Sequence, residues 1–391
     1  MKKIIATAIL SLMIPTINAQ TQSFDDVVAQ MLASNPAIKE LTHGAEAEIQ
    51  EMKAENILEG PELEGFHKWG NLGDRKYGVS ISQGFDWPGL YSARRQMIRN
   101  NESALGLLRN ATVTDKKVEA RSLLIDLVNS KRNISILERI DTIMIDLAKY
   151  YDAAYKSGQV SILDKNKIDI EIIRLVGRLT EEKNQYGNII ASIYDFCGSD
   201  QIGTAIDQLN SYPDAMLLSA DDYKKLAEES DPYMAYLKQI AEVNKSRGKV
   251  ASRSALPSFS LGYEWEREEG QNFNGFNVGV KFASWSNKNS RAAVVASGLE
   301  NDVKIASQSK KLMTDIDNDH STALDLIKQI DKFETALNGN HNELLLKALK
   351  GGQINMLDYI QEVNFYLEAE LDLENMRHEY QLALSRLNRL N

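Results

Sequence analysis

Two segments of the chain alternate apolar and polar residues with a period of two. From 257 to 285, and more weakly from 61 to 87, aromatic or aliphatic residues alternate with serine, glycine, asparagine or charged residues. Successive side chains of a β-strand point to opposite faces, so each segment is predicted to form a β-hairpin with one apolar and one polar face. The apolar face is predicted at Tyr77, Val79, Ile81, Phe259, Leu261, Tyr263, Trp265, Val278, Val280 and Phe282.

Long helical sequence accompanies both hairpins. No proline occurs between Pro88 and Pro213 or after Pro257, so both stretches can be almost entirely helical. Apolar residues in the first stretch follow two parallel stripes with heptad spacing, which predicts a helix packed between two neighbours. An ordinary helical bundle and a ring of helices around a polar lumen both satisfy this pattern. The stripes are Leu127, Ser130, Ile134, Leu137, Met144 and Ala148, and Ile136, Ile140, Ile143, Leu147 and Tyr150.

One unit is written twice along the chain. Asn35-Pro36 returns as Asp231-Pro232, and the segment 156–164 returns as 350–358 with its glycine, glutamine and aspartate in the same places. Such self-similarity predicts two structural repeats, at 20–212 and 213–391. Each repeat is predicted to contain a capped helix that breaks at the proline, a β-hairpin, and a long helical hairpin. The tips of these helical hairpins are predicted near 156–164 and 350–358.

The first residues have the pattern of an export signal. Lys2 and Lys3 precede an apolar run, and the small residue Ala19 provides a cleavage point, so 1–19 is predicted to be a signal peptide. No later window has the roughly 18 apolar residues that a transmembrane helix needs, whereas tilted strands of about 9–11 residues suffice. The apolar strand residues are therefore predicted to face lipid. A half-buried hairpin in a soluble domain is the alternative.

Composition excludes several other functions. The formal net charge is −10 and no basic patch is present, which argues against a nucleic-acid partner. Five histidines are dispersed and Cys197 is the only cysteine, so neither a metal site nor a cofactor is predicted. The acidic run at 315–320 is predicted to be a solvated helix face. Since no nucleophile motif or phosphate loop occurs, the chain is predicted not to be an enzyme.

The junctions between strands and helices carry a family resemblance. Tyr77-Gly78-Val79-Ser80-Ile81-Ser82-Gln83 leads through Trp87-Pro88 to Ala93-Arg94-Arg95, and Val278-Gly279-Val280 leads through Trp285 to Arg291. With the paired tip segments, these residues make the mature chain resemble the TolC-type outer-membrane efflux channel family. The resemblance implies a mainly α fold with a membrane β part: long α-helical hairpins form a periplasmic tube, and four strands per chain join a trimeric 12-stranded β-barrel.

The resemblance also implies partners and a function. It implies a homotrimer in the outer membrane whose periplasmic tube meets an adaptor protein bound to an inner-membrane transporter of the resistance-nodulation-division type, forming a passive exit for drugs or metal ions. A type I protein-secretion channel would share every feature above. A periplasmic coiled-coil scaffold without a pore is the alternative from another class. Independently, four strands cannot close a spanning barrel, so a membrane role requires several copies of the chain.

Two sets of residues are candidates for functional sites. A ring of symmetry-related carboxylates in a narrow pore can select and gate cations, and Asp358 with Glu362 one turn later is the candidate ring. The alternative is that Asp358 caps its helix, since Asp164 has the same place in the other repeat. Exposed residues of the two tips are the candidate adaptor contact, with a partnerless solvated loop as the alternative. These tip residues are Lys156, Gly158, Gln159, Lys350, Gly352 and Gln353.

Overall fold

The computed structural model describes residues 23–71, 75–282, 287–339 and 341–390. The predicted signal peptide 1–19 and Trp285 lie outside the described residues. Two helices, two strands and two long helices follow one another in each half, with short helices added. The elements are α1 Phe24–Ser34, α2 Pro36–Glu55, β1 Glu62–Trp69, β2 Arg75–Phe85, α3 Pro88–Lys156, α4 Ile162–Cys197, α5 Gly203–Gln208, α6 Ala220–Ser230, α7 Pro232–Arg253, β3 Ser258–Glu268, β4 Gln271–Lys281, α8 Asn287–Ala336, α9 His341–Lys350 and α10 Met356–Leu387.

The predicted helix breaks occur at both prolines. Asn35 ends α1 and caps α2, because its Oδ1 accepts from the Ile38 N–H at 3.1 Å. Its Nδ2 donates to the Phe196 carbonyl at 2.7 Å. In the second half, Asp231 Oδ1 accepts from the Met234 N–H at 2.8 Å and its other oxygen pairs with Arg389. Both capping residues are buried. Through these contacts, each one joins two distant parts of the chain.

The four strands form one antiparallel sheet in the order β1-β2-β3-β4. Residues of the first hairpin pair directly with those of the second: Val79 lies opposite Trp265 and Ile81 opposite Tyr263. The two predicted hairpins are therefore halves of one sheet. Strands β1 and β4 are its two edges.

The helices form a layer that extends away from the sheet. At about 1.5 Å per residue, the 69 residues of α3 span about 100 Å. Toward its C-terminal end α3 packs between α4 and α10, as the two apolar stripes predicted, and α10 also packs on α8. Toward the sheet, α7 packs on both α3 and α8.

A belt of short helices, α1, α5 and α6, covers the middle of this layer. The apolar residues of α1 and α5 share a core with α3 and α4 that contains Met31, Leu124, Val128, Ile193 and Ile206. A second core joins α6 to α7, α8 and α10. Belt helices therefore hold the long helices together by burying apolar surface between elements from both ends of the sequence.

The buried stripe of α3 differs in detail from the two predicted stripes. The buried side chains follow one line that includes residues of both predicted stripes. Ile136 and Ile143 are only partly buried, and Tyr150 is exposed. The buried residues alternate at spacings of four and three, so they keep a heptad repeat whose seam lies between the two predicted stripes. The buried line is Asn133, Leu137, Ile140, Met144, Leu147 and Tyr151.

Across the described residues, no helix is both long enough and apolar enough to cross a membrane.

Candidate functional site

The sheet presents its apolar residues on one face. Directly paired residues of antiparallel strands share a face, and the register places Leu63, Ile81, Tyr263 and Phe276 in one row across all four strands. The predicted residues lie on this face, and most are exposed, with Val278 at 73% of its surface and Val280 at 49%. At the end nearest the helices, the Trp87 ring lies beside Phe259, with 6.0 Å between the ring centroids. Phe282 directly follows β4 and is 75% exposed.

The opposite face of the sheet is mainly polar, with small residues along the middle of β2 and β3 and the Phe66 ring beside Gly78. Gly78, Ser80, Ser82, Ser260 and Gly262 alternate with the apolar positions. A Cβ on Gly78 would lie 2.5 Å from the Trp265 carbonyl oxygen, so only glycine permits this approach of β2 to β3.

Charged side chains gather on the polar face toward the hairpin turns. Lys76 Nζ lies 2.9 Å from Glu266 and 3.4 Å from Glu268 on the neighbouring strand. Five glutamates and three lysines lie on this face, as the strand register shows. A water-filled space bounded by it would therefore favour cations. These residues are Glu62, Glu64, Glu264, Glu266, Glu268, Lys68, Lys76 and Lys281.

The junction between the sheet and the helical layer is fixed by hydrogen bonds. Arg94 pairs with Asp86 at 2.9 Å, and Tyr91 Oη accepts from the Asp86 N–H at 3.0 Å. Arg253, at the end of α7, donates to the Gly89 carbonyl at 2.5 Å and to Ser92 Oγ at 2.9 Å. These contacts lock the start of α3 to the end of α7, so the strands leave the helices in a defined direction.

The two predicted tips have the same backbone geometry. Gly158 and Gly352 adopt φ values of 77° and 68°, which glycine reaches without steric cost. The N–H after each glycine donates to a carbonyl five residues earlier: Gln159 to Ala154 at 2.8 Å and Gln353 to Ala348 at 2.9 Å. This bond closes the helix in a Schellman motif. Both glycines have open space around them, so the turns project freely.

One apolar core lies immediately behind both tips. Tyr151 and Ile168 from the first helical hairpin share it with Met356, Tyr359 and Val363 from the second. Burial raises the pKa of the Tyr359 phenol. The first and second helical hairpins thus end side by side, and the structure brings the tip residues Lys156, Gly158 and Gln159 to the same end of the layer as Lys350, Gly352 and Gln353.

Asp358 does not cap α10, contrary to the alternative drawn from the sequence. Asn355 is the cap: its Oδ1 accepts from the Asp358 N–H at 3.0 Å. Ser161 caps α4 in the same way, because its Oγ accepts from the Asp164 N–H. The Ser161 hydroxyl also holds the pKa of the Asp164 carboxyl below its usual value. The capping oxygen belongs to the residue three positions before each aspartate, because that residue has the extended backbone a cap requires.

The Asp358 carboxylate is consequently left for other contacts. It is exposed on the first turn of α10, and Glu362 is exposed one turn later on the same side. Neither carboxylate forms an ion pair with any residue that the structure describes. The structure therefore places both predicted gate residues on an open helix surface near the second tip.

The acidic run at 315–320 belongs to α8 and is tied to its neighbours. Asp317 lies 2.6 Å from Lys224, and Asp319 lies 2.7 Å from Arg386. His320 Nε2 lies 3.0 Å from the Leu218 carbonyl oxygen. Within the described ranges, no three His, Cys, Asp or Glu side chains are grouped closely enough to hold a metal ion. The run serves to fasten α8 to α6 and α10.

An acidic groove that sequence reasoning missed lies between α3, α4 and α10. Its volume is 630 Å³, and its described lining includes five carboxylates but only Arg178 as a permanent cation. The signal that could have found it is the pair of polar residues Ser130 and Asn133 on the otherwise apolar stripe of α3. The carboxylates are Asp126, Glu181, Glu182, Glu368 and Asp372.

Several solved structures with the same architecture are outer-membrane channels. No protein-family model and no curated protein matches the chain. The CmeC outer-membrane channel of Campylobacter jejuni superposes with a TM-score of 0.71 at 15% identity, over 93% of this chain and 84% of that chain. The open-state MtrE outer-membrane channel of Neisseria gonorrhoeae gives a TM-score of 0.73 at 12% identity, over 94% of this chain and 88% of that chain. The chain has the TolC-type outer-membrane channel fold.

A membrane protein from Pseudomonas aeruginosa superposes on the chain as well, with a TM-score of 0.73 at 14% identity over 93% of this chain and 89% of that chain. Because the likeness covers nearly the whole of both chains, a single superposition includes both the sheet and the helical layer. The predicted fold class, a mainly α chain with long helical hairpins and four strands, is confirmed.

Proposed function

We propose that this chain is the subunit of an outer-membrane duct through which an efflux system exports small molecules. The observation that carries the proposal is the sheet, whose exposed apolar face and two open edges are joined to a layer of helices about 100 Å long. Open edges and an uncovered apolar face are costly in water, and open edges are also excluded from lipid. Several copies of the sheet closed into a barrel would remove both costs.

Three copies give a closed barrel of suitable size. Three times four strands make a 12-stranded barrel, within the range of outer-membrane barrels. The ten predicted apolar residues would face lipid, and the small polar residues would surround water. Helices from three copies would continue this wall as a periplasmic tube. Such a homotrimer works as a passive duct and needs no catalytic group or cofactor.

The partners follow from the position of the tips. We place the adaptor contact at Lys156, Gly158 and Gln159 and at Lys350, Gly352 and Gln353, because these exposed turns end the layer farthest from the sheet. The adaptor would connect the tube to an inner-membrane transporter of the resistance-nodulation-division type, exporting drugs or metal ions. The channel neighbours support this assignment through the shared fold.

One sample tests the duct directly. The full chain, purified in detergent from outer membranes, is expected to have the mass of three copies and to form stable conducting pores in a planar bilayer. The same sample provides both measurements. A single copy that stays monodisperse without detergent, or a trimer without conductance, would contradict the proposal.

A substitution at the second tip tests the adaptor contact. Gly352→Val forces a β-branched residue into positive φ and is expected to abolish efflux in cells while the trimer still assembles. Gly270→Val is the control, since it places the same β-branched residue at a φ of 85° in the open turn between β3 and β4, away from both tips. Efflux at the normal rate by the Gly352→Val trimer would exclude docking at this tip.

Asp358 and Glu362 are proposed to line the periplasmic entrance of the tube. Three symmetry-related copies of each would form acidic rings that concentrate and bind cations. Asp358→Asn is expected to weaken the block of single-channel current by multivalent cations, whereas Asp164→Asn, at the equivalent place in the first half, leaves it unchanged. Equal block in wild type and Asp358→Asn would eliminate the gating role.

A further inference from the structure

The acidic groove between α3, α4 and α10 contains an unsatisfied buried acceptor. Asn133 is 8% exposed and lines the groove, and its Oδ1 has no hydrogen-bond partner. A buried amide oxygen without a donor is destabilising, so this position favours a donor that enters from the groove. The carboxylates around it make a cationic donor the suitable one.

Several carboxylates of the groove already have partners. Asp126 lies 2.6 Å from His378 Nε2, Glu182 accepts from Ser130 Oγ at 2.7 Å, and Arg178 lies 2.5 Å from Glu368. Glu181 and Asp372 form no ion pair with any described residue. The groove therefore keeps an excess of negative charge after its internal contacts are counted, and Arg178 neutralises only one end.

The shape of the groove selects the kind of cation. Its α10 lining extends from Glu368 to His378, about 15 Å at the helical rise. The carboxylates are spread along this length and do not converge on one point, consistent with the absence of any metal-sized cluster among the described residues. A volume of 630 Å³ is in the range of pockets that hold organic ligands. An extended molecule with several ammonium groups fits these features better than a single metal ion.

The groove opens on the side of the helical layer that faces away from the belt. Lys131 donates to the Ile206, Asp207 and Leu209 carbonyls at the end of α5, at 2.8, 2.9 and 2.8 Å. Asn133 follows two positions later and so points about 200° away around the helix. A belt inside the tube would obstruct the passage. A trimeric duct therefore has the belt outside and the groove toward the water-filled centre.

We infer that this groove is a binding site for linear polyamines, in which ammonium groups pair with Glu181 and Asp372 and one of them donates to Asn133 Oδ1. Only the statement that the site faces the duct rests on the proposed function. Since the binding itself requires nothing but the folded chain, its failure and the failure of the efflux role are separate results.

Titration of the purified full-length protein with spermidine, by calorimetry at low ionic strength, tests the site. Wild type is expected to bind with defined stoichiometry. The Glu181→Gln/Asp372→Asn variant is expected to bind at least tenfold more weakly. The Glu228→Gln/Glu229→Gln variant removes the same charge from the exposed surface of α6 and is expected to stay within twofold of wild type. Asn133→Leu, of similar volume, separates the buried acceptor from the general charge and is expected to weaken binding at least fivefold.

Three results would overturn the inference: no saturable binding by wild type, unchanged affinity in the Glu181→Gln/Asp372→Asn variant, or an equal loss in the α6 variant. Displacement of spermidine by magnesium at equal charge concentration would show a diffuse charge effect and would overturn it too. Wild-type protein that binds spermidine but supports no efflux in cells would count against the duct and leave the site standing.

Discussion

The two halves of the molecule stabilise the same helix break through chemically different contacts. In the first half, neutral Asn35 caps α2 and donates to the Phe196 carbonyl at the end of α4. In the second half, Asp231 caps α7 and pairs through its charge with Arg389, just beyond α10. Each residue ties the short helices of its half to the far end of its own helical hairpin. The two halves thus join corresponding elements through different chemistry.

The charged joint is expected to be the more costly one to break. Asp231→Ala removes the cap of α7 and leaves Arg389 without its buried partner, which we expect to lower the free energy of unfolding by about 3 kcal/mol. Asn35→Ala removes a cap and a neutral hydrogen bond, with an expected loss of about 2 kcal/mol. Denaturant unfolding of the purified protein measures both.

Asp231→Asn sharpens this comparison, because it gives the second half the residue type of the first. The cap is retained and the ion pair is lost, so its effect should lie between that of wild type and that of Asp231→Ala. A larger loss from Asn35→Ala than from Asp231→Ala would contradict the distinction between the two joints.

Substitutions of two glycines, one in each β-hairpin, are expected to show the next largest difference in stability. A Cβ at Gly78 meets the Trp265 backbone oxygen at 2.5 Å, which cannot move without shifting a strand. A Cβ at Gly279 meets Ser260 Oγ at 2.3 Å, and that hydroxyl can rotate away. Gly78→Ala is expected to cost about 2 kcal/mol and Gly279→Ala less than about 1 kcal/mol. The temperature at which the proposed trimer dissociates on a gel reports the order, and the reverse order would refute the close approach of β2 to β3.

The tip caps are expected to have smaller and nearly equal effects. Ser161→Ala and Asn355→Ala each remove one side-chain acceptor at a helix start, worth about 1 kcal/mol locally. Hydrogen exchange should accelerate in the first turn of α4 for one variant and of α10 for the other. Protection that falls at both tips in either variant would show that the two turns open as one unit.

Lowering the pH should destabilise the first tip through Asp164. Of the effects predicted here, we expect this one to be the smallest. The Ser161 hydroxyl lowers the pKa of the Asp164 carboxyl, so its stabilising effect is complete above the usual carboxyl pKa and is lost as pH falls through the lowered value. Hydrogen exchange in the first turn of α4 should therefore accelerate below pH 4 relative to the local baseline. Ser161→Ala should remove this dependence, and its persistence in that variant would assign it to another group.

Much of the fold could be predicted from the sequence because its strongest signals are local. The alternation around Phe259 and Val280 specifies strands, and the Asn35-Pro36 and Asp231-Pro232 pairs specify breaks without reference to distant residues. The pairing of β2 with β3 is a contact between residues far apart in the chain, and no local pattern specifies it. The capping of α10 by Asn355 was missed, because the aspartate three residues later has the same preference for a helix start.

The acidic groove shows the limit more clearly. Its lining comes from three helices that are far apart in sequence, and each contributes charged residues that look like an ordinary solvated face when α4 or α10 is considered alone. Ser130 and Asn133 were the informative positions, since a polar residue on a buried stripe needs a partner. That partner could be sought only after α3, α4 and α10 had been placed around it.

The difference between α3 and α8 has a mechanical consequence. Residues 88–156 form one uninterrupted rod, whereas the corresponding rod of the second half ends at Ala336 and restarts at His341 after Gly339, whose φ is 151°. A stiff rod transmits a tilt over its whole length: one degree at the sheet displaces the other end by almost 2 Å when the rod is about 100 Å long. An interrupted rod beside it absorbs part of that tilt at the joint. The two rods of each copy would therefore respond unequally to a pull at the tips, and the wall would twist before it widened.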